Sequence, residues 1–233
     1  MDQKVAVVTG ASSGIGYAIC DMLQTKEYKV VANGRKVNQV WESKEHLCLC
    51  SSDLLNDATA AELLELAIKQ FGRCDVLCVN AGIIESNSIE DINIDKMCEM
   101  ARLKVEMSFR LIYTFLKYFK EQGRGHIILM SSVLGTKTRE NSGAYAACNY
   151  ALEALAESLR MELCNTDIQI TCIEPGLVET NLHSDWAVKP KEMLHISHSL
   201  QPQDIAEIVW DVLNMPAHIR VPRYMVLPKG HKI

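Results

Sequence analysis

The stretch Thr9–Gly16, TGASSGIG, constrains this chain more than any other. It follows a Val-rich run, QKVAVVT over 3–9, and opens directly into the amphipathic segment YAICDMLQTK. A buried run, a glycine turn and a helical period in that order read as strand, turn and helix. Gly10 permits the tight turn, Gly14 lets an anionic group approach the backbone, and Gly16 allows helix and strand to pack closely. The helix N-terminus then turns free N–H groups and the positive end of its dipole toward the turn. Ser12 and Ser13 add hydroxyl donors, and Ile15 lies between the last two glycines. A pyrophosphate fits such a cradle.

The alternation continues along the chain. KVVAN (29–33), EHLCLCS (45–51) and CDVLCVN (74–80) read as buried strands, the last ending in Asn80, Ala81 and Gly82. DATAAELLELAIKQF reads as a helix between the third and fourth strands, with Gly72 placed to stop it. A long helical pattern runs from Ile94 to Lys120, as one helix or two run together, until Gly123 and Gly125 break it before GHIILMSS. A helix beginning near Ser142–Gly143 follows, then the strand DIQITCIEP. After Pro175 and Gly176 an irregular stretch reaches about Leu200. QPQDIAEIVWDVLNM is a further helix with Pro202 near its start, and RYMVLP supplies a last strand. Continuous apolar strands alternating with amphipathic helices predict a Rossmann-type α/β fold. It is a doubly wound parallel sheet in a three-layer α/β/α arrangement, as a single domain over 1–233.

Composition removes several function classes. A net charge of −5 gives no electrostatic footprint for nucleic acid. No apolar run approaches the roughly 20 residues needed to span a membrane, and MDQKVAVVTG lacks a signal-peptide pattern. The nine cysteines are odd in number, sit mostly in apolar or helical context, and show no zinc spacing. They read as reduced, mostly buried thiols of a cytoplasmic protein without a metal site.

Chemistry concentrates between Ser131 and Leu152. Ser132 ends a strand, and Tyr145 and Asn149 lie four apart, so they stack on one helix face. A Ser and a Tyr converging beside a third polar side chain describe a proton-transfer site.

With the glycine turn, these features resemble the short-chain dehydrogenase/reductase family. TGASSGIG has its Gly-x-x-x-Gly-x-Gly spacing, and Asn80-Ala81-Gly82 its NAG element beside the cofactor. Asp53, in SSDLL with Leu54, matches the acidic residue that contacts adenine. Ser132 and Tyr145 match the catalytic pair, and Pro175-Gly176-Leu177-Val178-Glu179-Thr180 the PGxVxT element flanking the nicotinamide. The resemblance implies hydride transfer between a nicotinamide and a small carbonyl or secondary alcohol. Tyr145 would exchange the proton and Ser132 hold the oxygen. A carboxylate at the end of strand two would bind the ribose diol, but that end reads Ala32-Asn33-Gly34-Arg35-Lys36, with cations available for a 2′-phosphate. NADP(H) is therefore favoured over NAD(H), with Arg35 as the phosphate contact.

Two positions depart from the family's pattern. A free tyrosine, with a pKa of about 10, is a poor base at neutral pH, and the family places a Lys four residues later to favour the phenolate. Here that residue is Asn149, expected to bind the nicotinamide ribose through its amide. The family's Asn on the preceding long helix corresponds to Lys104, so the two residue types are exchanged and Lys104 supplies the cation from the opposite side. Alternatively, Lys104 is a solvated helix residue beside Glu106, and the chain is a dinucleotide-binding protein without efficient turnover, acting as sensor or partner. His126 reads as structural. His183, His195 and His198 fall in or near a segment, about 181–200, that covers substrate in the family. Trp186, Met193 and Leu194 would give that segment an apolar inner face. Glu174 facing the sheet end has no account in the sequence. Apolar residues on more than one face of the helices around 101–120 and 143–163 point to a homodimer or homotetramer.

Overall fold

Seven apolar runs form one parallel sheet in the computed structural model, which describes residues 3–184, 186 and 190–233. The strands are β1 (Val5–Thr9), β2 (Lys29–Asn33), β3 (Leu47–Cys50), β4 (Val76–Val79), β5 (Arg124–Met130), β6 (Asp167–Pro175) and β7 (Arg223–Val226). Their order is β3-β2-β1-β4-β5-β6-β7, and every neighbouring pair is parallel. A sheet covered on both faces has no solvated side to pattern, so β1 and β4 are buried at every position.

Helices α1 (Gly14–Thr25) and α7 (Pro202–Leu213) cover one face, packing Ile19, Leu23, Ile205 and Val209 on Ala6, Val8 and Val30. On the other face, α2 (Thr59–Phe71), α4 (Ser108–Gln122) and α5 (Gly143–Glu162) bury Leu63, Phe115, Phe119, Leu152 and Leu159 against Val5, Val7, Leu77 and Ile127. Two shorter helices, α3 (Ile94–Ala101) and α6 (Pro190–Met193), lie toward the carboxyl ends of the strands.

The stop signals act as the residues dictate. Gly72 and Gly123 end α2 and α4 at φ of 78° and 80°, the left-handed conformation that glycine adopts without a Cβ penalty. Pro202 occupies the first turn of α7, where its missing N–H costs no hydrogen bond, and Gln201 with Asp204 forms a capping box. The long pattern from 94 onward is two helices, α3 and α4, run together. A π-helical turn over Arg102–Met107 joins α3 to α4. Cys20, Cys74, Cys78, Cys148 and Cys172 are buried, Cys98 and Cys164 are exposed, and all nine thiols are free.

The strand order reverses between β1 and β4, so the connections after those two strands leave in opposite directions. In sheets of this kind the crevice opens at that point. Here it lies between the turn after β1 and the segment after β4.

His126 on β5 is a structural residue, buried with its Nε2 3.0 Å from the Thr171 hydroxyl on β6. Burial, then the charges of Arg220 and Lys4, push its pKa down to about 3. The unfolded chain therefore takes up a proton at this site, below a pKa of about 6.5, more readily than the folded one. The stability this site contributes is present above that value and is lost as pH falls. In thermal melts between about pH 7 and pH 5, His126→Gln should lose less stability than wild type on acidification. Equal slopes would mean that the ring is not held neutral.

Candidate active site

The turn after β1 is shaped by contacts that leave no room for side chains. Gly10 has φ of 70°, and a Cβ there would lie 2.8 Å from Asn80 Nδ2 and 2.9 Å from Ala81 Cα. Asn80 staples the two strand ends. Its amide Nδ2 donates to the Thr9 carbonyl at 3.0 Å, and its backbone N–H donates to the Thr9 hydroxyl at 3.0 Å. A Cβ on Gly16 would collide with the Gly10 carbonyl, so Gly16 serves packing and does not border the cleft. Ser13 precedes α1 without a side-chain cap bond, which leaves the first-turn N–H groups open. Ser12 Oγ is buried and has no partner. An orphaned hydroxyl over an uncapped helix N-terminus is the donor set a phosphate satisfies, so these residues fit a dinucleotide.

The crevice has a volume of about 570 Å³. It brings together every candidate catalytic and cofactor residue except Gly16 and Asn149. Arg35 and Lys36 border it, as do Asp53 and Leu54. The Asp53 carboxylate accepts a hydrogen bond from Leu55 N–H at 3.0 Å, which fixes the turn after β3. Asn80, Ala81 and Gly82 line the crevice as well, as do Pro175, Gly176, Val178 and Thr180. Thr180 approaches the glycine turn, since a Cβ on Gly14 would stand 3.1 Å from its Cγ2.

Ser132 and Tyr145 both border this cleft. Ser132 precedes a short 3₁₀ turn, Val133–Gly135, and its Oγ accepts from Leu134 N–H at 3.1 Å. That bond uses an oxygen lone pair and leaves the hydroxyl proton free to donate. Tyr145 lies in the first turn of α5, its ring packed among Ile84, Met100, Val133 and Leu134.

Lys104 is buried on the π-helical turn, with its Nζ 5.3 Å from the centre of the Tyr145 ring. It also faces Gly82, where a Cβ would lie 3.6 Å from Nζ. Glu106 does not hold it, because that carboxylate pairs with Arg102 and Arg110. Among the described residues, no carboxylate forms an ion pair with Lys104. The solvated reading of this lysine therefore does not hold.

Asn149 is placed differently from expectation. It is fully buried, its Nδ2 donates to the Tyr145 carbonyl at 2.8 Å, and its Oδ1 has no partner. A short amide in mid-helix turns back to the carbonyl four residues earlier, so it does not reach the cleft wall where a ribose would sit.

Of the later segment, Asn181–His183 form a 3₁₀ turn, and Trp186 and Leu194 border the cleft. Residues 185 and 187–189 lie outside the described residues. His183 packs edge-on to Trp186 at 4.7 Å, and burial lowers its pKa. Met193, His195 and His198 are exposed. Arg139 and His231, which no motif marks, also border the cleft, within 3.3 Å of each other. The only sequence signal for His231 is indirect, the glycine at 176 that its ring requires. Among the described residues no His, Cys, Asp or Glu cluster suits a metal, and no helix is long and apolar enough to cross a membrane.

Comparison with known proteins agrees with this geometry. Residues 4–191 match the family model described as short chain dehydrogenase. An uncharacterised oxidoreductase of Staphylococcus aureus is 31% identical over 233 residues, covering 98% of each chain. An alcohol dehydrogenase from the archaeon Thermococcus sibiricus, solved with 5-hydroxy-NADP, superposes with a TM-score of 0.86 at 26% identity, covering 99% of each chain. A 3-ketoacyl-(acyl-carrier-protein) reductase from Brucella melitensis, solved with NADH, shares the fold at 22% identity and a TM-score of 0.86 over 97% of this chain and 98% of its own. The glycine cradle, the Ser–Tyr pair and these likenesses converge: the chain belongs to the short-chain dehydrogenase family and is an oxidoreductase.

Proposed function

We propose that this protein is an NADP(H)-dependent oxidoreductase of small carbonyls or secondary alcohols, in which Lys104 serves as the cation of the Ser132–Tyr145 site. The observation that carries the reading is the buried Lys104 ammonium beside the Tyr145 ring, without an ion-paired carboxylate among the described residues. A buried, unpaired charge is costly, and such groups cluster where function requires them.

A nicotinamide dinucleotide held in the cleft supplies or takes up the hydride. Gly10, Ser12, Ser13, Gly14 and Ile15 would hold its pyrophosphate, Asp53 and Leu54 its adenine, and Pro175, Gly176, Val178 and Thr180 its nicotinamide end. The family assignment carries over these contacts, and their common position on one cleft supports them. Ser132 donates its free hydroxyl proton to the substrate oxygen, and Tyr145 transfers the phenolic proton to that oxygen or takes it in reverse. The Lys104 ammonium offsets negative charge developing on the phenol. Asn149, turned into its own helix, braces the turn that carries Tyr145. The cleft-facing parts of 181–200, with Trp186 and Leu194, would cover the substrate.

Arg35 and Lys36, with no acid at the end of β2, support a 2′-phosphate and hence NADP(H). The exposed Tyr113, Tyr150 and Met161 on α4 and α5 support a homodimer or homotetramer through those helices. Nine free thiols, two of them exposed, support a reducing, cytoplasmic compartment.

Turnover of NADPH against a panel of ketones and aldehydes tests the catalytic reading. Tyr145→Phe should lose about a hundredfold or more in kcat. Lys104→Asn should lose about tenfold or more in kcat, as expected for removing a charge that offsets the one developing on the phenol. In the Lys104→Asn/Asn149→Lys double variant, the longer cation should restore part of that loss. A Lys104→Asn enzyme with wild-type turnover would remove Lys104 from the site. Fluorescence titration tests the cofactor: Arg35→Ala should weaken NADPH binding about tenfold to a hundredfold and leave NADH nearly unchanged. Parallel losses for both cofactors would assign Arg35 another role. A light-scattering mass equal to one chain would refute the oligomer.

A further inference from the structure

A second polar cluster lies behind the catalytic wall. Glu153 on α5 and Glu174 at the end of β6 are both almost fully buried, at 2% and 1% exposure. One guanidinium serves both. Arg223 Nε is 3.0 Å from Glu153 Oε2 and 3.7 Å from Glu174 Oε1, while its Nη2 reaches the exposed Glu157 at 3.3 Å. Two buried carboxylates thus share one cation, which a third carboxylate also engages.

Hydrogen bonding shows the same deficit. The Thr136 hydroxyl donates to Glu174 Oε2 at 3.4 Å, but Glu174 Oε1 and Glu153 Oε1 are buried with no hydrogen-bond donor. Ser131 Oγ and Asn149 Oδ1 are orphaned beside them. A Cβ on Gly135 would lie 2.6 Å from Ser131 Oγ, 3.0 Å from Glu153 Cγ and 3.5 Å from Asn149 Cβ, which ties these groups to one spot under the Ser132 turn. Among the described residues no other cation forms an ion pair with either carboxylate, and Arg160 Nη1 donates to the Pro222 carbonyl and the Cys172 sulfur. Burial, the Glu153 charge and a hydrogen bond to Glu153 raise the Cys172 pKa, so this thiol is a weak, uncharged donor that does not offset the charge of the pair. Like charges held together in a dry site cannot both ionise, and a proton placed between them supplies the missing donor.

We propose that Glu153 and Glu174 hold one proton between them, and that this pair, clamped by Arg223, is a positioning device that fixes the strand end carrying Pro175 and Gly176 against the helix carrying Tyr145. Glu174 immediately precedes Pro175, and Glu153 lies two helical turns beyond Tyr145 on the same face of α5. The pair therefore joins the wall assigned to the nicotinamide to the helix assigned to proton transfer. Burial, then the Glu153 charge, raises the pKa of the Glu174 carboxyl against the pull of Arg223 and Thr136, consistent with a retained proton. The proton sharing stands on the cluster alone, and only its catalytic consequence rests on the function proposed above.

The test uses the full chain and the variants Glu174→Gln, Glu153→Gln and Glu174→Ala. In infrared difference spectra at neutral pH, the wild type should show the carbonyl band of a protonated buried carboxyl, and both single Gln variants should lack it. Glu174 binds its proton more tightly in the folded chain. The stability from that proton is therefore fully present below the unfolded carboxylate pKa of about 4.3 and is lost as pH rises through the raised folded value. Glu174→Gln, neutral at every pH, should lack that decline while melting close to wild type at neutral pH. It should also keep wild-type kcat and NADPH affinity, where Glu174→Ala loses tenfold or more in kcat. The proposal falls if the wild type shows no such band, if both Gln variants retain it, or if Glu174→Gln is as damaged as Glu174→Ala. Should the wild type prove inactive on every carbonyl tried, the infrared and stability arms still decide the shared proton, and only the proposed function fails.

Discussion

The cleft exists because the backbone after β1 approaches that after β4 where the strand order reverses, and only a residue without a Cβ permits the approach. Gly10 meets Asn80 and Ala81 at distances where any side chain would collide, and Asn80 holds the contact with hydrogen bonds to Thr9. Everything that borders the cleft is referenced to that contact. The open N–H groups of α1, the orphaned Ser12 hydroxyl and the strand ends carrying Ser132 and Pro175 all face the gap it creates. The sheet supplies rigidity, since β1 and β4 are buried throughout. The loops at its carboxyl edge then vary in chemistry without disturbing the frame.

The two positions read in the sequence as departures from the family's pattern are placed unequally in the structure. Lys104 is buried against the Tyr145 ring and Gly82, the position from which it is proposed to act on the phenol. Asn149 is buried too, but its amide is committed to the Tyr145 carbonyl. An exchange of residue types on paper is therefore not an exchange of roles in space. The proposed cation approaches the phenol from α3–α4, whereas the residue on α5 has become part of the polar layer with Ser131, Glu153 and Glu174.

Much of this was legible in the sequence for identifiable reasons. β2 and β6 keep the bounds read from their apolar runs, because glycine or proline closes each run. Gly72, Gly123 and Pro202 act where their backbone chemistry demands. Most candidate cofactor residues gather on one cleft because they sit at or just beyond the carboxyl end of a strand, and strand order carries them there. What stayed hidden depends on side-chain direction or on distant partners. Helical spacing puts Asn149 beneath Tyr145 but says nothing of which way its amide turns. Glu174 looks anomalous until Arg223 arrives from β7 and Glu153 from α5. Likewise, Arg139 and His231 are far apart in the chain and meet only through tertiary structure.

The π-helical turn over Arg102–Met107 interrupts the long helical pattern read from Ile94 to Lys120. An α-helix advances about 100° per residue, so one surplus residue in a turn offsets the rows of side chains before it from those after it. The helix carries a phase slip. Met100 before it and Phe115 after it both face the interior, and Lys104 emerges at the slip itself. Deleting one residue there would restore a continuous helix, yet either α3 or α4 would then be rotated out of register with its core. The chain thus stores the placement of one ammonium group in the count of residues between two hydrophobic stripes.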